Sequence, residues 1–242
     1  IRDSSGGVWR VVFIISLIVF VCAAGALAFI GYGYWHGQQN NKQLEQIGFN
    51  APDAAALQRM DLASFTVDWN ALRAINPDVV GWIYVPGTTV NFPIVHGTDD
   101  EHYLKTDFYG QTSWVSFGSI FLSAANAADF SDANNIVYGH HMNDGSMFSP
   151  FADFGDADTF NGHRTVYVFT PTANYQLTTF SIVHCAADDP LAQTTFASEQ
   201  ERQAYVQDKV DRSVVTVAGL PSAADMKHTF AFSTCDNLAS NG

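Results

Sequence analysis

Cys235 is the residue of this sequence that is best suited to covalent chemistry. It ends a run with β-strand character, KHTFAFSTC, and the polar residues Asp236 and Asn237 follow it. Because successive side chains of a strand point to opposite faces, Ser233 and Cys235 share one face while the phenylalanines take the other. A thiol at a strand end beside a polar loop is accessible to substrate, but a lone cysteine is more often an inert buried residue. The strand by itself leaves both interpretations open.

A cysteine nucleophile also needs a base or a cation beside it, because the thiolate is the reactive form. Among the eight histidines, His140 and His141 are best placed, since they follow a β-branched run and Gly139 in NIVYGHHMNDGSMF. We expect one ring to face the site and the other to point away. A zinc site is the alternative, but no HxH, HExxH or CxxC pattern accompanies the pair, so we predict no metal.

The two other cysteines are predicted to have no catalytic role. Cys22 lies within a long apolar run. Cys185 follows His184 in the middle of a predicted strand, and because adjacent strand residues face opposite ways, these two cannot readily form a catalytic pair. We interpret Cys185 as a packing residue. A disulfide between Cys185 and Cys235 is the alternative, although a disulfide-stabilised domain would carry more cysteines, in even number.

The elements that position these residues are preceded by an apolar run over 11–35, which contains no charged residue. The run is long enough to cross about 30 Å of hydrocarbon as a transmembrane helix. Arg2 and Arg10 precede it, so the positive-inside rule predicts a cytoplasmic tail at 1–10 and places the remaining chain outside the cell. A cleaved signal peptide is the alternative, but its apolar segment is normally shorter.

The rest of the chain is predicted to form a helical stalk over 36–75 and one domain over 76–242. A short helix with Phe65, Trp69 and Leu72 on one face is predicted to end the stalk at Asn76, because the residue before a proline disfavours the helical conformation. Predicted strands cover 79–85, 90–96, 116–122, 135–140, 165–170, 175–186, 214–218 and 227–235, and predicted helices cover 147–154 and 198–210. Several short strands separated by turns predict a mainly β barrel or sandwich.

The charge of the chain limits its partners. The sequence holds 11 Lys and Arg against 24 Asp and Glu, which gives a formal net charge of −13. Binding to nucleic acid through its phosphates requires clustered basic residues. We therefore predict that nucleic acid is not a partner.

Two short motifs and their order resemble the sortases. YGHHM follows one predicted strand, and STCD ends a later one. The stretch NPDVVGWIYVPGTTVNFPIVHG, the following DDEHYLKTDFYG, and GSMF after the histidines are similar to the class B branch of that family. The resemblance runs from about residue 76 to the end of the sequence. TC alone is a weak signal, whereas all of these motifs in order are a strong one.

The resemblance implies a fold and an activity. The fold is an eight-stranded sortase-type β-barrel with a few helices. The activity is that of a membrane-anchored cysteine transpeptidase on the outer face of a Gram-positive membrane, with no cofactor. Such enzymes cut a C-terminal sorting motif of a surface protein or pilin after its Thr, hold the protein as a thioester, and pass it to an amine of a peptidoglycan precursor or a pilin lysine.

The same resemblance implies roles for individual residues. Cys235 would be the nucleophile, and His140, directly after the glycine, would be the acid/base that protonates the leaving amine. His141 would have no catalytic role. Ser233 and Asn237 would make supporting contacts near the thiol.

One residue of the sortase pattern is missing from the sequence. Sortases carry an arginine a short loop after the cysteine, where it binds substrate and stabilises the oxyanion. No arginine follows Cys235, and Arg164 and Arg212, at predicted strand starts, do not match that position. We predict that the sequence ends before the final strand that would carry it. Another sortase class, a purely hydrolytic cysteine peptidase, and a non-catalytic adhesin or scaffold remain as alternatives.

Overall fold

The computed structural model describes residues 5–50, 65–112, 117–185 and 193–234. In chain order, the elements are α1 (Ser5–Gly48), β1 (Phe49–Asn50), β2 (Thr66–Val67), α2 (Trp69–Ile75), β3 (Val79–Tyr84), β4 (Asn91–His96), α3 (His102–Lys105), β5 (Ile120–Leu122), β6 (Asn134–Tyr138), α4 (Ser149–Ala152), a 3₁₀ turn (Asp153–Gly155), α5 (Ala157–Gly162), β7 (Thr165–Phe169), β8 (Asn174–Thr178), α6 (Glu199–Asp211) and β9 (Thr229–Ser233).

The longest element is α1, a single helix of 44 residues. At 1.5 Å per residue it extends over about 66 Å, roughly twice the thickness of a bilayer's hydrocarbon core. Its first part exposes large apolar side chains from Val8 to Ile30. Among the described residues, it is the one helix long and apolar enough to cross a membrane. The helix continues without interruption past residue 35, so residues 36–48 of the predicted stalk belong to it.

The main sheet has seven strands in the order β8-β7-β3-β4-β5-β6-β9. Neighbouring strands are antiparallel except for β4 with β5 and β6 with β9, which are parallel. The two end strands approach each other, because the rings of Tyr175 in β8 and Phe230 in β9 lie 5.2 Å apart. The sheet therefore curls into a half-barrel, as the sortase-type prediction requires. The described residues form seven strands of the eight that were predicted for the barrel.

Each face of the sheet packs against its own set of apolar side chains. The inner core, which the curled sheet encloses, includes Ile83, Val90, Phe92, Ile94, Ile120, Val137, Phe148, Phe154, Val166 and Val168, with Phe230 and Phe232 packed against it. The outer core lies between the sheet and helices α1, α2 and α3, and includes Leu44, Phe49, Leu72, Trp82, Val95, Tyr103, Phe121, Tyr167 and Phe169. The inward position of Phe230 and Phe232 confirms the alternation predicted for the last strand.

Two predicted helix ends are confirmed by their capping contacts. The C-cap of α2 is Asn76, directly before the proline. At the start of α6 the hydroxyl of Ser198 accepts a hydrogen bond from the Glu201 amide at 3.1 Å. The Glu201 carboxylate reaches back to the Ala197 amide at 2.6 Å. The first contact satisfies one of the amide groups that a helix start leaves without an intrahelical partner, and the second holds the residue that precedes the N-cap.

Two predicted strands are wrong in extent or in kind. Residues 214–218 form bends and turns, and Val215 is buried within them. The backbone there bonds to another loop, since the Val214 amide donates to the Ile182 carbonyl at 2.9 Å. β8 ends at Thr178, so Cys185 lies beyond it and is exposed, contrary to the packing prediction. The β-branched residues of 214–218 correctly indicated burial at Val215, but a buried segment can be a loop and does not have to pair with another strand.

Candidate active site

The site is centred on the neighbouring ends of β6 and β9. These strands are parallel, and their register pairs Asn134 with Thr229 and Tyr138 with Ser233. One step beyond, the Gly139 amide donates a hydrogen bond to the Ser233 carbonyl at 3.1 Å. His140 follows at once and is half-buried. The structure thus brings two of the predicted site residues, Ser233 and His140, to the same edge of the molecule.

Gly139 is required at this position by the space around it. A Cβ built on its backbone would lie 2.6 Å from Cδ2 and 2.7 Å from Cγ of Phe148. Those distances are well inside van der Waals contact, so a larger residue would displace the ring or the strand end. The same loop is held at its far side, because the Phe148 amide donates to the His140 carbonyl at 2.9 Å.

The imidazole of His140 is oriented by a backbone carbonyl. Its Nε2 lies 2.6 Å from the carbonyl oxygen of Leu104, in α3. A carbonyl oxygen can only accept, so Nε2 carries the proton and donates. In the neutral ring, Nδ1 is then the nitrogen with a lone pair. This hydrogen bond selects the tautomer in which Nδ1 is the atom that can exchange a proton.

Gly118 completes the wall beside the His140 ring. Its φ is +56°, and a Cβ there would lie 2.7 Å from the Tyr103 carbonyl oxygen, 2.8 Å from the Leu104 carbonyl oxygen and 3.0 Å from Cδ2 of His140. Only glycine meets both requirements, the positive φ and the close approach. The next amide, of Ser119, donates to the Tyr103 carbonyl at 2.9 Å. The end of α3, this loop and the imidazole are therefore packed directly against one another.

Helix α3 is itself fixed to the outer core through Tyr103. The phenol is buried and donates a hydrogen bond to a carboxylate oxygen of Asp78 at 2.7 Å. Burial, together with this hydrogen bond to a carboxylate, raises the pKa of Tyr103 to about 12. The tyrosine stays neutral at physiological pH and holds α3, with its Leu104 carbonyl, against the sheet.

The approach to β9 is fixed by a buried arginine on α6. Arg202 is 5% exposed and pairs with the Glu199 carboxylate at 2.6 Å. Its guanidinium also donates to the carbonyls of Ala223 at 3.1 Å and Ala224 at 3.3 Å, and to that of Met226. These carbonyls belong to the loop that leads into β9. Helix α6 therefore fixes the path by which the chain enters the strand that precedes Cys235.

The other residues discussed for the site lie in different places. Cys235 and Asn237 lie outside the described residues. His141 is half-buried and forms a β-bridge with Met147. Arg164 donates to the Thr179 carbonyl at 3.1 Å, and Arg212 is the C-cap of α6, so its predicted place at a strand start is wrong.

Sequence reasoning missed Leu104 and Gly118. One acts through its backbone carbonyl, and the other acts through the absence of a side chain. Neither role can be recognised from the type of the residue. The one available signal is a glycine shortly before a predicted strand, and that signal is common in turns.

Comparison with known proteins decides the family. No protein-family model matches the chain. Sortase B of Staphylococcus aureus is 30% identical over 172 residues, which cover 71% of this chain and 69% of that relative. The chain belongs to the sortase B family. Sortase B of Listeria monocytogenes is 29% identical over 218 residues, which cover 88% of this chain and 86% of the relative.

Solved sortase B structures share the fold of this chain. The Staphylococcus aureus sortase B–substrate complex superposes with a TM-score of 0.70 at 26% identity, over 85% of this chain and 90% of that one. A Bacillus anthracis protein described as similar to sortase B gives a TM-score of 0.71 at 27% identity, over 84% and 91%. The predicted class B sortase fold is confirmed, and the chain is a cysteine transpeptidase.

Proposed function

We propose that this sortase cleaves a C-terminal sorting motif after its Thr, with Cys235 as nucleophile and His140 as acid/base. One observation carries the assignment of the pair. Tyr138 and Ser233 are register partners in parallel strands, and His140 and Cys235 each come two residues after a member of that pair. The Gly139 amide bonds to the Ser233 carbonyl at this strand junction, so the residues that closely follow, His140 and Cys235, would lie near each other in the proposed site.

The orientation of His140 suits proton transfer in both halves of the reaction. The Cys235 thiolate would attack the carbonyl carbon of the motif's Thr, and Nδ1 of the imidazolium would give its proton to the departing amine. The product of this half is a thioester. An incoming amine would then attack the thioester, lose its proton to Nδ1, and release Cys235 as thiolate. The Leu104 carbonyl accepts from Nε2–H throughout, so the ring need not rotate between the two steps.

The two supporting residues are assigned different parts. The main-chain carbonyl of Ser233 holds the Gly139 amide and so keeps the two strand ends together. We assign Asn237 to a polar contact near the thiol, in keeping with the sortase resemblance. Sortases stabilise the oxyanion with an arginine, and no arginine follows Cys235 in this sequence. The proposed proton transfers need only Cys235 and His140.

We also propose where the enzyme works and what it joins. Residues 11–35 would form the transmembrane helix, with 1–10 in the cytoplasm and the domain over 76–242 outside the cell. The substrate would be a surface protein or pilin, and the acceptor an amine of a peptidoglycan precursor or a pilin. The uninterrupted, exposed apolar part of α1 supports the anchor. We propose that residues 36–75 join the anchor to the domain. Their described parts include the end of α1, strands β1 and β2, and helix α2, and Leu44 is buried against the domain.

The assignment is tested with four variants of the full chain in membrane vesicles. The assay follows acyl-enzyme formation by mass spectrometry with peptides that carry candidate sorting motifs, with and without an added amine. Cys235→Ala should form no thioester, and His140→Ala should lower turnover by about 10²–10⁴-fold, the usual contribution of a positioned acid/base. Cys185→Ala and His141→Ala are the matched controls and should retain activity.

The outcomes separate the alternatives. Thioester formation that persists in Cys235→Ala would refute the nucleophile. A His141→Ala variant as impaired as His140→Ala would refute the choice of histidine. A ligated product with the added amine supports transfer, whereas hydrolysis alone would overturn the proposed acceptor reaction.

A further inference from the structure

The second half of α1 packs onto the domain directly beside the His140 wall. Leu44 is buried in the outer core, and Gly37 faces the ring of Phe117. A Cβ built on Gly37 would lie 2.7, 2.8 and 2.9 Å from three atoms of that ring. Such distances are too short for any side chain, so the glycine lets the helix backbone touch the ring.

Phe117 connects this contact to the imidazole. It is 3% exposed and therefore has little room to move away from α1. The next residue is Gly118, whose backbone lies against the Leu104 carbonyl and the His140 ring. Because protein interiors are closely packed, a displacement of Phe117 passes to Gly118 and from there to the imidazole.

Two polar contacts of α1 hold the loops on either side of His140. Gln38 Nε2 donates to Asp144 Oδ2 at 2.9 Å, and Asp144 belongs to the loop that follows the two histidines. Asn40 Nδ2 donates to Asp107 Oδ2 at 3.3 Å, and Asp107 lies just after α3. Each contact is modest by itself. Together they attach both segments that bracket His140 to one turn of α1.

We propose that residues 37–40 of α1 are a positioning element for His140. The helix assigned to the membrane would then also set the geometry of the acid/base. None of these residues touches the reacting atoms, so they act through Phe117, Gly118 and the two loops. The proposal rests on the catalytic role proposed for His140, and its test includes a measurement that does not depend on that role.

The test compares Gly37→Ala with Gly31→Ala in the full chain in vesicles. Both substitutions replace a glycine of α1 by alanine, so they raise helix propensity equally. At Gly31 nothing lies within 4 Å of the new Cβ, whereas at Gly37 the Cβ meets Phe117. We expect Gly37→Ala to lower kcat for transpeptidation by about tenfold, since small misplacements of catalytic groups are costly. KM should change by less than about twofold, and Gly31→Ala should match the parent in both.

The independent measurement is the tautomer of His140, read from the ¹⁵N shifts of its ring nitrogens. In the parent chain and in Gly31→Ala, Nε2 should be the protonated nitrogen of the neutral ring. In Gly37→Ala, the Nδ1–H form should gain population, because the contact between Nε2 and the Leu104 carbonyl is displaced. If Gly37→Ala does not fold, the double variant Gln38→Ala/Asn40→Ala removes both amide donors without adding volume to the Phe117 contact, and the same changes are expected, in smaller size.

The results distinguish failure of this proposal from failure of the catalytic assignment. A Gly37→Ala enzyme with the kcat and the tautomer of Gly31→Ala would overturn the positioning role. A shifted tautomer with unchanged kcat would support positioning and would overturn His140 as acid/base. A lower kcat with an unshifted tautomer would show only structural damage and would overturn the proposal.

Discussion

Gly118→Ala should separate the orientation of His140 from the stability of the fold. The substitution adds a methyl group at a position with φ of +56°. Two of the atoms that the methyl meets are backbone carbonyl oxygens, of Tyr103 and Leu104, and these are fixed by α3. The third is Cδ2 of His140, at 3.0 Å. Carbon atoms prefer about 3.5–4.0 Å, so the imidazole would have to retreat by about 0.5–1 Å.

The size of the effect follows from two separable contributions. Placing an L-residue at positive φ costs about 1–2 kcal/mol. Retreat of the ring also weakens the hydrogen bond from Nε2 to the Leu104 carbonyl, worth about 1 kcal/mol. These two contributions lower the free energy of unfolding by about 2–3 kcal/mol, and the close contacts with the two carbonyl oxygens add to that loss. Since a displacement near 1 Å lowers rates by up to about 10²-fold, kcat should fall by about 10–10²-fold.

The control is Gly110→Ala, which places an alanine at positive φ but brings its methyl group into contact with no other described residue. Gly110 has a φ of +77°, and nothing lies within 4 Å of the position that an added Cβ would occupy. The variant should lose stability through strain alone and keep its kcat. Both variants are measured by urea unfolding and by single-turnover acyl transfer to a sorting-motif peptide. Equal kcat values for the two variants would refute the argument that Gly118 orients His140.

Two further predictions concern stability. Arg202→Met leaves the carbonyls of Ala223 and Met226 without their buried donor, so the free energy of unfolding measured in urea should fall by about 2–4 kcal/mol. Arg202→Lys should lower it by less. An unchanged unfolding midpoint would contradict the role assigned to α6. The pKa of Tyr103 is raised above its ordinary value of 10 to about 12, so its contribution to stability is complete below pH 10 and is lost as the pH rises towards 12. Tyr103→Phe should weaken that alkaline loss in thermal unfolding, and an identical slope would contradict it.

The sequence by itself determined the features that depend on neighbouring residues. The Asn76-Pro77 pair ended α2, and Ser198 with Glu201 started α6, because capping acts within one turn of a helix. Alternation along the last strand placed Phe230 and Phe232 in the inner core. The unbroken apolar run predicted a membrane-length helix. YGHHM and STCD, in order with the stretches similar to class B sortases, indicated the family.

Only the tertiary structure decided which distant segments meet. Tyr138 and Ser233 are 95 positions apart, and their pairing depends on how the whole sheet curls. The partner of His140 is the carbonyl of Leu104, a group that every residue possesses, so no residue type could reveal it. Gly37 and Gly118 act through the space that a missing Cβ leaves, and that space exists only once α1, α3 and the loop have packed together. Local propensities fix elements, whereas close packing between elements fixes the site.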